Sequence, residues 1–597
     1  MVNVKSGWLF DAYPLDNRMI FWIKQESGNA IRLEDSSWSH SLHIASDDYT
    51  DILKSIQHDN ELVKEYEFTS KYERISNTTK SNILKLTLSD PAKALFMAER
   101  IERLDGSSKF GKYRVYNVDL LPAQSYFYEH DIFPLVFCEV HNNDSKLRWI
   151  NKDNVRSTDY TMPDFKSIHL TVNLRKETKI PRYTDRIDSI SIKQEDNYDK
   201  STIIDIDCND FSECDIIKQL ITEVSNIDPD FVFTEDGDSF TFPYLIHRAE
   251  KNGIQKELVL SRESVPIKKP AREGISYFSY GRTYFKPTAI NLLGRIHIDK
   301  SNSFIYNDSG LQGLYEISRL CKMPLHTAAR ASIGKCLSSL QFYYASQKGI
   351  LIPWKPTLAE HFKTLGDLLI ADRGGFIFEP EIGVHDNVAE FDFVSLYPNI
   401  MLKKNLSAET ILCGCCPNSK LRVPELGYNI CEKRIGIVPT SLKIILEKRA
   451  IYKRLLKSEN IHPKLRRIYN LRQNTLKWIL VTSFGYLGFN NAKFGRIDAH
   501  IAVCAFDRQI LLQAAKIAEK CGFRVLHGIV DSIWIKKKEK EKKNSAVDLY
   551  DYLKLKELIE KETGFEISFE GVYKWIVFIH SKANDILPVP NRYFGAF

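Results

Sequence analysis

The chain has 597 residues, which at roughly 100–200 residues per domain predicts about three to five domains. Hydrophobic residues make up 43% and charged residues 27%, a balance that excludes wholesale disorder, and no apolar run approaches the ~18 residues that would span a bilayer. The 83 Lys and Arg exceed the 76 Asp and Glu by 7, a surplus that permits a nucleic-acid partner without demanding one. The 11 cysteines are too few and scattered for a disulfide scaffold. The segment Met1–Leu9 lacks the charged, apolar and small-residue series of a signal peptide, so a cytosolic setting without a membrane partner is expected.

From Ser6 to Leu42 apolar and polar residues alternate with aromatic enrichment, which predicts antiparallel strands. A mixed region follows to Arg186 and contains the strand-like Ser167–Leu174. Ser201–Asp207 reads as a buried strand, Asp215–Ser225 as a helix, Phe231–Phe233 as a strand and Pro243–Lys251 as a helix, an alternation that suggests an α/β unit. Helical spacing from Leu311 to Lys348 ends at Ile350–Pro356. Leu442–Leu480, broken near Asn460–Pro463, predicts two antiparallel helices, and His500–Lys520 another. Phe523–Lys537 predicts two strands meeting at a tight turn, and the charge run Lys536–Lys543 a solvated loop. His-Glu-x-x-His, Gly-Lys-Ser/Thr, Gly-x-Ser-x-Gly and Gly-x-Gly-x-x-Gly signatures are all absent from the sequence.

Two carboxylates sit where carboxylates are expensive: Asp392, in Ala389-Glu-Phe-Asp-Phe-Val-Ser-Leu-Tyr, and Asp531, in Phe523-Arg-Val-Leu-His-Gly-Ile-Val-Asp-Ser-Ile-Trp-Ile. An unpaired ionised carboxylate in apolar β-type sequence costs several kcal/mol, so such groups are paired, protonated or bound to a cation. Taken singly, each reads as a satisfied strand-end or turn Asp.

Their surroundings make them specific. Asp392-Phe-Val-Ser-Leu-Tyr-Pro-Asn-Ile resembles the first polymerase motif of family B DNA polymerases, Asp-x-x-Ser-Leu-Tyr-Pro-Ser-Ile. In order behind it, Asn405-Leu-Ser-Ala-Glu-Thr and Gly436-Ile-Val-Pro-Thr resemble palm segments, and Leu446-Glu-Lys-Arg-Ala-Ile-Tyr-Lys the Arg-x-x-x-Lys fingers helix. Lys477-Trp-Ile-Leu-Val-Thr-Ser-Phe-Gly-Tyr resembles Lys-x-x-x-Asn-Ser-x-Tyr-Gly, His527-Gly-Ile-Val-Asp-Ser stands for Tyr-Gly-Asp-Thr-Asp-Ser, and Val589-Pro-Asn-Arg-Tyr-Phe-Gly resembles the primer-gripping Lys-Lys-Arg-Tyr. Gly7-Trp-Leu and Tyr113-Arg-Val-Tyr-Asn-Val-Asp-Leu-Leu-Pro are similar to the family's N-terminal domain, so the resemblance runs along nearly the whole chain, nearest to the archaeal branch.

The resemblance implies a multidomain α/β and α+β fold: a right-hand palm and fingers, an RNase H-like exonuclease domain and a β-rich N-terminal domain. The corresponding boundaries are 1–190 (N-terminal), 191–350 (exonuclease-like), 351–445 (palm, first part), 446–490 (fingers) and 491–597 (palm, second part). It implies that Asp392, Asp531 and the Phe393 carbonyl hold two Mg²⁺ ions about 3.5–4 Å apart, with Mn²⁺ as a substitute, that clamp the attacking and leaving oxygens. Arg449 and Lys453, an i,i+4 pair, would bind the triphosphate with Lys477, Ser395 and Leu396. Tyr397 would exclude a ribose 2′-OH, Val481, Phe484 and Gly485 would flank the nascent base pair, and Arg592 and Tyr593 would grip the primer. The partners implied are primer–template DNA and deoxynucleoside triphosphates, and the compartment is the cytoplasm, with association to the nucleoid.

Departures from the family pattern shape the remaining expectations. Ile529 replaces the first Asp of the third motif, and Val481, Thr482 and Phe484 replace Asn, Ser and Tyr of the second, which would relax discrimination between base pairs. Asp205-Ile-Asp207 stands for the first exonuclease motif, and Asp236-Gly-Asp-Ser-Phe-Thr-Phe-Pro-Tyr puts Thr241 where the second requires Asp. The third exonuclease motif has no clear counterpart, Asp308 having Phe304 at the Tyr position. The exonuclease is therefore expected to be degenerate and proofreading absent. The sequence stops at Phe597, where relatives continue into a thumb, which suggests either a second chain that supplies it or weak primer binding; a sliding clamp is the other partner expected.

Cys413, Cys415, Cys416 and Cys431 read as free thiols or a Cys416–Cys431 disulfide, the Cys-x-Cys-Cys spacing being poor for zinc. The expected function is a template-directed DNA polymerase in repair or lesion bypass. The rival readings are an inert polymerase-like DNA-binding or scaffold subunit and, disfavoured by Thr241, a nuclease.

Overall fold

The computed structural model describes residues 3–58, 61–104, 111–143, 146–175, 180–195, 201–279, 281–355, 360–371, 373–538 and 549–597. Most of the charge run Lys536–Lys543 therefore lies outside the described residues. The chain divides into two compact units. One comprises Met1–Glu73, Lys80–Trp354 and Glu447–Ile479, the other Arg74–Thr79, Lys355–Leu446 and Leu480–Phe597.

The first unit opens with the antiparallel strands that the aromatic alternation predicts. Asn3–Leu15 pairs with Arg18–Lys24 on one side and, across more than a hundred residues, with Phe137–Asn143 on the other. Its second sheet brings together five strands: β1 (Ser167–Arg175), β2 (Arg186–Glu195), β3 (Ser201–Asp207), β4 (Phe231–Thr234) and β5 (Ile296–Asp299), in the order β3-β2-β1-β4-β5. The β1–β2 and β2–β3 pairs are antiparallel, and β4 runs parallel to both neighbours. Every residue of β4 and β5 is buried, as a parallel strand covered on both faces requires. After β4, helix α1 (Phe242–Lys251) lays Phe242, Tyr244, Leu245 and Ile246 into the core of this sheet.

Two expectations are corrected here. The domain boundary at 190/191 falls inside β2, which hydrogen-bonds to strands of the same sheet on both sides. Ser201–Asp207, expected to be buried, is the edge strand, with Ile203 57% exposed. An isoleucine run marks a strand but not its place in a sheet.

The second unit is organised on a six-stranded antiparallel sheet. Its strands are β6 (Ile377–Phe378), β7 (Gly383–Phe393), β8 (Phe523–Ile529), β9 (Ser532–Lys537), β10 (Ile567–His580) and β11 (Pro588–Ala596), in the order β6-β8-β9-β7-β10-β11. Helix α2 (Leu396–Lys403) follows β7 directly. The predicted helix pair is α3 (Ile437–Leu456) and α4 (Pro463–Leu487), both continuing from one unit into the other, and α5 (Ile497–Lys520) belongs to the second unit. Among the described residues no helix is long and apolar enough to cross a membrane.

Candidate active site

The register of β7 against the β8–β9 hairpin creates the site. Asp392, one residue from the end of β7, stands opposite Ser532, and the Phe393 amide donates to the Asp531 carbonyl at 2.8 Å. Directly opposed residues in an antiparallel pair hold their Cβ atoms about 4.5–5.5 Å apart, so Asp392 and the turn residue Asp531 become neighbours. Ser532 Oγ donates to Asp392 Oδ2 at 2.8 Å. Burial, and then the Asp392 charge, push the Asp531 carboxyl up to about 6.

The backbone around this pair is strained. Val530, in the hairpin turn, has φ 52°, a left-handed conformation that a β-branched side chain resists by about 1–3 kcal/mol. Its amide is held by the Phe376 carbonyl at 3.0 Å. On the other side Ser395 takes φ 49° and ψ 52°, which turns the chain from β7 into α2 and sets Leu396 and Tyr397 in its first turn.

Tyr397 packs on Phe484 with ring centroids 4.4 Å apart, and Phe484 stacks on His500 at 4.0 Å. Gly375 permits the approach of three groups: a Cβ there would lie 3.0 Å from Val530 Cγ2, 3.1 Å from the Tyr397 hydroxyl and 3.2 Å from Asp507 Oδ2.

Asp507 is the residue that sequence reasoning missed. It projects from α5, is fully buried, and neither carboxylate oxygen has a hydrogen-bond partner. Burial and then the nearby Asp531 charge push it up to about 8, against the weaker opposing pull of Arg508 and the Phe376 amide. The visible signal was a carboxylate inside the apolar helical run Ala502–Leu512, the same expense that singled out Asp392 and Asp531.

Ile529, at the position where the resemblance implies a further Asp, instead packs its side chain against the cluster of Val388, Leu526, Trp534 and Phe578. The oxygen donors in this unit suit a hard divalent cation: two adjacent carboxylates, the charge of Asp392 raising the proton affinity of Asp531, and a third carboxylate whose burial is only partly offset.

Of the expected primer-gripping pair, Tyr593 on β11 packs edge-on to Trp534 at 5.1 Å and lies near enough to Glu390 and Asp392 for both, after burial, to raise its hydroxyl. Arg592 beside it is exposed. The cations expected at the triphosphate sit in the first unit. Lys448 is buried against Glu316 at 2.7 Å, which fixes the rotation of α3 and leaves Arg449 half-buried and Lys453 exposed. On α4, Lys477, Val481 and Gly485 are exposed at successive four-residue steps and form one stripe.

The exonuclease residues are not gathered. Asp205 and Asp207 lie on edge strand β3, with β2 and β1 between them and β4, whose following turn carries Thr241. At about 4.8 Å per strand the separation is too wide for shared ligation. Asp205 accepts from Ser191, Asp207 from the Asn209 amide, and Thr241 donates to Asp236 at 2.5 Å. The central strand β1, Ser-Ile-His-Leu-Thr-Val-Asn-Leu-Arg, has no carboxylate at all. Phe304 packs edge-on to Trp478, and Asp308 accepts from its neighbour Ser309.

Comparison with known proteins agrees with this architecture. The family model for DNA polymerase family B matches residues 326–583, and the model for the family B exonuclease domain matches residues 113–307. The chain belongs to DNA polymerase family B. It is 35% identical over 301 residues to "DNA polymerase 2" of Saccharolobus solfataricus, a match covering 50% of this chain and 42% of that protein. With "DNA polymerase" of Archaeoglobus fulgidus it shares 26% over 405 residues, covering 62% and 49%. The chain thus spans about half the length of these curated relatives. The fold matches the family B DNA polymerase of Pyrobaculum calidifontis with a TM-score of 0.70 at 19% identity, covering 99% of this chain and 80% of that one.

Proposed function

We propose that this family B chain is a template-directed DNA polymerase that adds deoxynucleotides to a primer 3′ end. The observation that carries the reading is the convergence of Asp392 and Asp531 at one β-strand register, with Asp507 uncompensated behind them. Asp392 and Asp531 would hold the divalent ions, Mg²⁺ or Mn²⁺, with the Phe393 carbonyl beside them. Bound there, the ions supply charge stabilisation of the attacking and leaving oxygens. Asp507 is proposed as the third acidic group, in the role left vacant by Ile529.

Tyr397, braced by Phe484, would bar a ribose 2′-OH. Ser395, Leu396, Arg449, Lys453 and Lys477 would take the triphosphate, Val481, Phe484 and Gly485 would border the new base pair, and Arg592 and Tyr593 would hold the primer. DNA would be held mainly through phosphates, so binding weakens steeply with salt. The absence of a carboxylate on β1 supports the lack of 3′–5′ proofreading, and a role in repair or lesion bypass follows from it.

Primer extension tests the reading: the chain extends a primer with Mg²⁺ or Mn²⁺, and Asp392→Ala or Asp531→Ala does not. Extension undiminished in both variants overturns the site assignment. The apolar packing of Ile529 favours a second reading, an inert DNA-binding subunit, and a chain that binds primer–template but extends it under no ionic condition supports that one.

A further inference from the structure

Between α2 and α3, from Lys404 to Gly436, the chain has no helix and only isolated bridges, Ile411 with Ile430 and Arg422 with Asn429. A stretch this long without regular structure is uncommon inside a compact unit and calls for some other source of order. At its centre Cys413, Cys415, Cys416 and Cys431 bring their four Sγ atoms within 4.8 Å of one another. The Cys415–Cys431 separation is 3.5 Å, Cys415–Cys416 3.8 Å and Cys416–Cys431 3.9 Å. All four are free thiols; Cys413, Cys416 and Cys431 are buried and Cys415 is half-buried.

We propose that these four cysteines form a structural zinc site. A tetrahedral Zn²⁺ with Zn–S bonds of about 2.3 Å places its sulfurs about 3.8 Å apart, close to the spacing that Cys415, Cys416 and Cys431 already have, with Cys413 within 4.8 Å of each. The four thiols form a hydrophobic cluster of their own, Asn429 Nδ2 donates to Cys413 Sγ at 3.6 Å, and thiols offer one another only weak hydrogen bonds. Backbone amides face two of the sulfurs. The Lys433 and Arg434 amides point at Cys431 and the Cys416 amide at Cys413, while Asn429 Nδ2 donates to the Cys413 and Cys416 carbonyls at 3.0 and 2.9 Å, fixing the first loop around the second. Within Cys413–Gly436, Lys420, Arg422, Lys433 and Arg434 outnumber Glu425 and Glu432 by two, a surplus that would offset the two negative charges of a Zn(Cys)₄ centre. Four protein ligands leave no open position, so the site is structural rather than catalytic.

The spacing argument against zinc fails because the fourth ligand, fifteen residues beyond Cys416, arrives through the fold, and adjacent Cys415 and Cys416 still reach one centre. The same segment supports the start of α3. Asn405 Nδ2 donates to the Cys431 and Arg434 carbonyls, its Oδ1 accepts from the Gly436 amide at 2.9 Å, and Glu409 accepts from the Ile437 amide at 2.7 Å. Zinc would therefore hold the platform from which the helix bearing Arg449 and Lys453 begins.

The test uses the full chain, purified under reducing conditions with zinc supplied. Metal analysis should find about one zinc per chain, and Co²⁺ exchanged into the site should show the d–d bands and thiolate charge-transfer absorption of tetrahedral sulfur ligation. Cys416→Ser and Cys431→Ser should each weaken metal retention against a competing chelator by at least tenfold. Stripping zinc from the wild type should lower Tm, and returning it should restore Tm, a readout independent of whether the variants fold. A wild-type chain that holds neither zinc nor Co²⁺ overturns the proposal. A mass lower by two hydrogens, with a Cys416–Cys431 linked peptide after digestion, overturns it in favour of a disulfide.

Discussion

Asp238 and Asp507 are both buried acids, and the protein treats them in opposite ways. In the first unit, the Asp238 carboxylate receives Arg330 Nε at 2.5 Å and Nη2 at 3.0 Å, the Ile290 amide at 2.8 Å and Asn302 Nδ2 at 2.9 Å. These donors outweigh the cost of burial and hold it below the ordinary carboxylate value. In the second unit, Asp507 has no hydrogen bond and is pushed up to about 8. A fully paired acid ties elements together, whereas an unpaired one beside another carboxylate suits a cation that is not part of the chain. The contrast separates an exonuclease-like sheet whose acids serve the fold from a palm-like sheet whose acids are proposed to serve chemistry.

The largest effect should come from Asp531→Ala, which removes a carboxylate from the cluster. Extension is expected to fall by at least about 10³-fold, or about 4 kcal/mol of barrier, with little loss of thermal stability. A variant that instead melts early while extending DNA would make Asp531 structural and erase the contrast. Asp238→Ala should do the reverse: stranding the buried Arg330 is expected to cost about 3–5 kcal/mol in denaturant unfolding. If the cost is below about 1 kcal/mol, the acids of the first unit are no more structural than those of the second.

Asp507→Asn comes next. It keeps the shape and removes the charge, so Mn²⁺ affinity measured by titration calorimetry should weaken by about 10–100-fold while Tm does not fall. Unchanged affinity would leave Asp507 merely a protonated core acid.

The smallest effect is in pH. Both Asp507 and Asp531 are raised above the ordinary carboxylate value, so the folded chain binds more protons than the unfolded one, and metal-free stability declines as pH climbs from about 4 towards about 8. Comparing wild type with Asp507→Asn across that window should isolate a difference of at least about 2–4 °C in Tm, since roughly that much accompanies each kcal/mol. The opposite slope, with the wild type gaining over the variant as pH rises, would mean that an unseen donor compensates Asp507.

Much of the architecture is legible from periodicity. The aromatic alternation before Leu42, the helix pair broken near Asn460–Pro463 and the hairpin around Asp531 all appear where apolar spacing puts them, because core-facing positions must repeat with the period of the element. Asp392 and Asp531 were legible because ionisable residues in apolar sequence are costly. Asp205 and Asp207 misled, because a short Ile-rich strand reads the same at the edge of a sheet as at its centre.

By itself the sequence determined the family, the order of the elements and the two carboxylates around which the candidate site is proposed, since each is a local pattern of residue type and spacing. Only the tertiary structure decided which strand is central, that Asp507 stands beside Asp531 without a partner, and that four cysteines from two loops meet. Strand order, hydrogen-bond satisfaction and sulfur-to-sulfur distance depend on packing between segments far apart in the chain, and no local spacing encodes them.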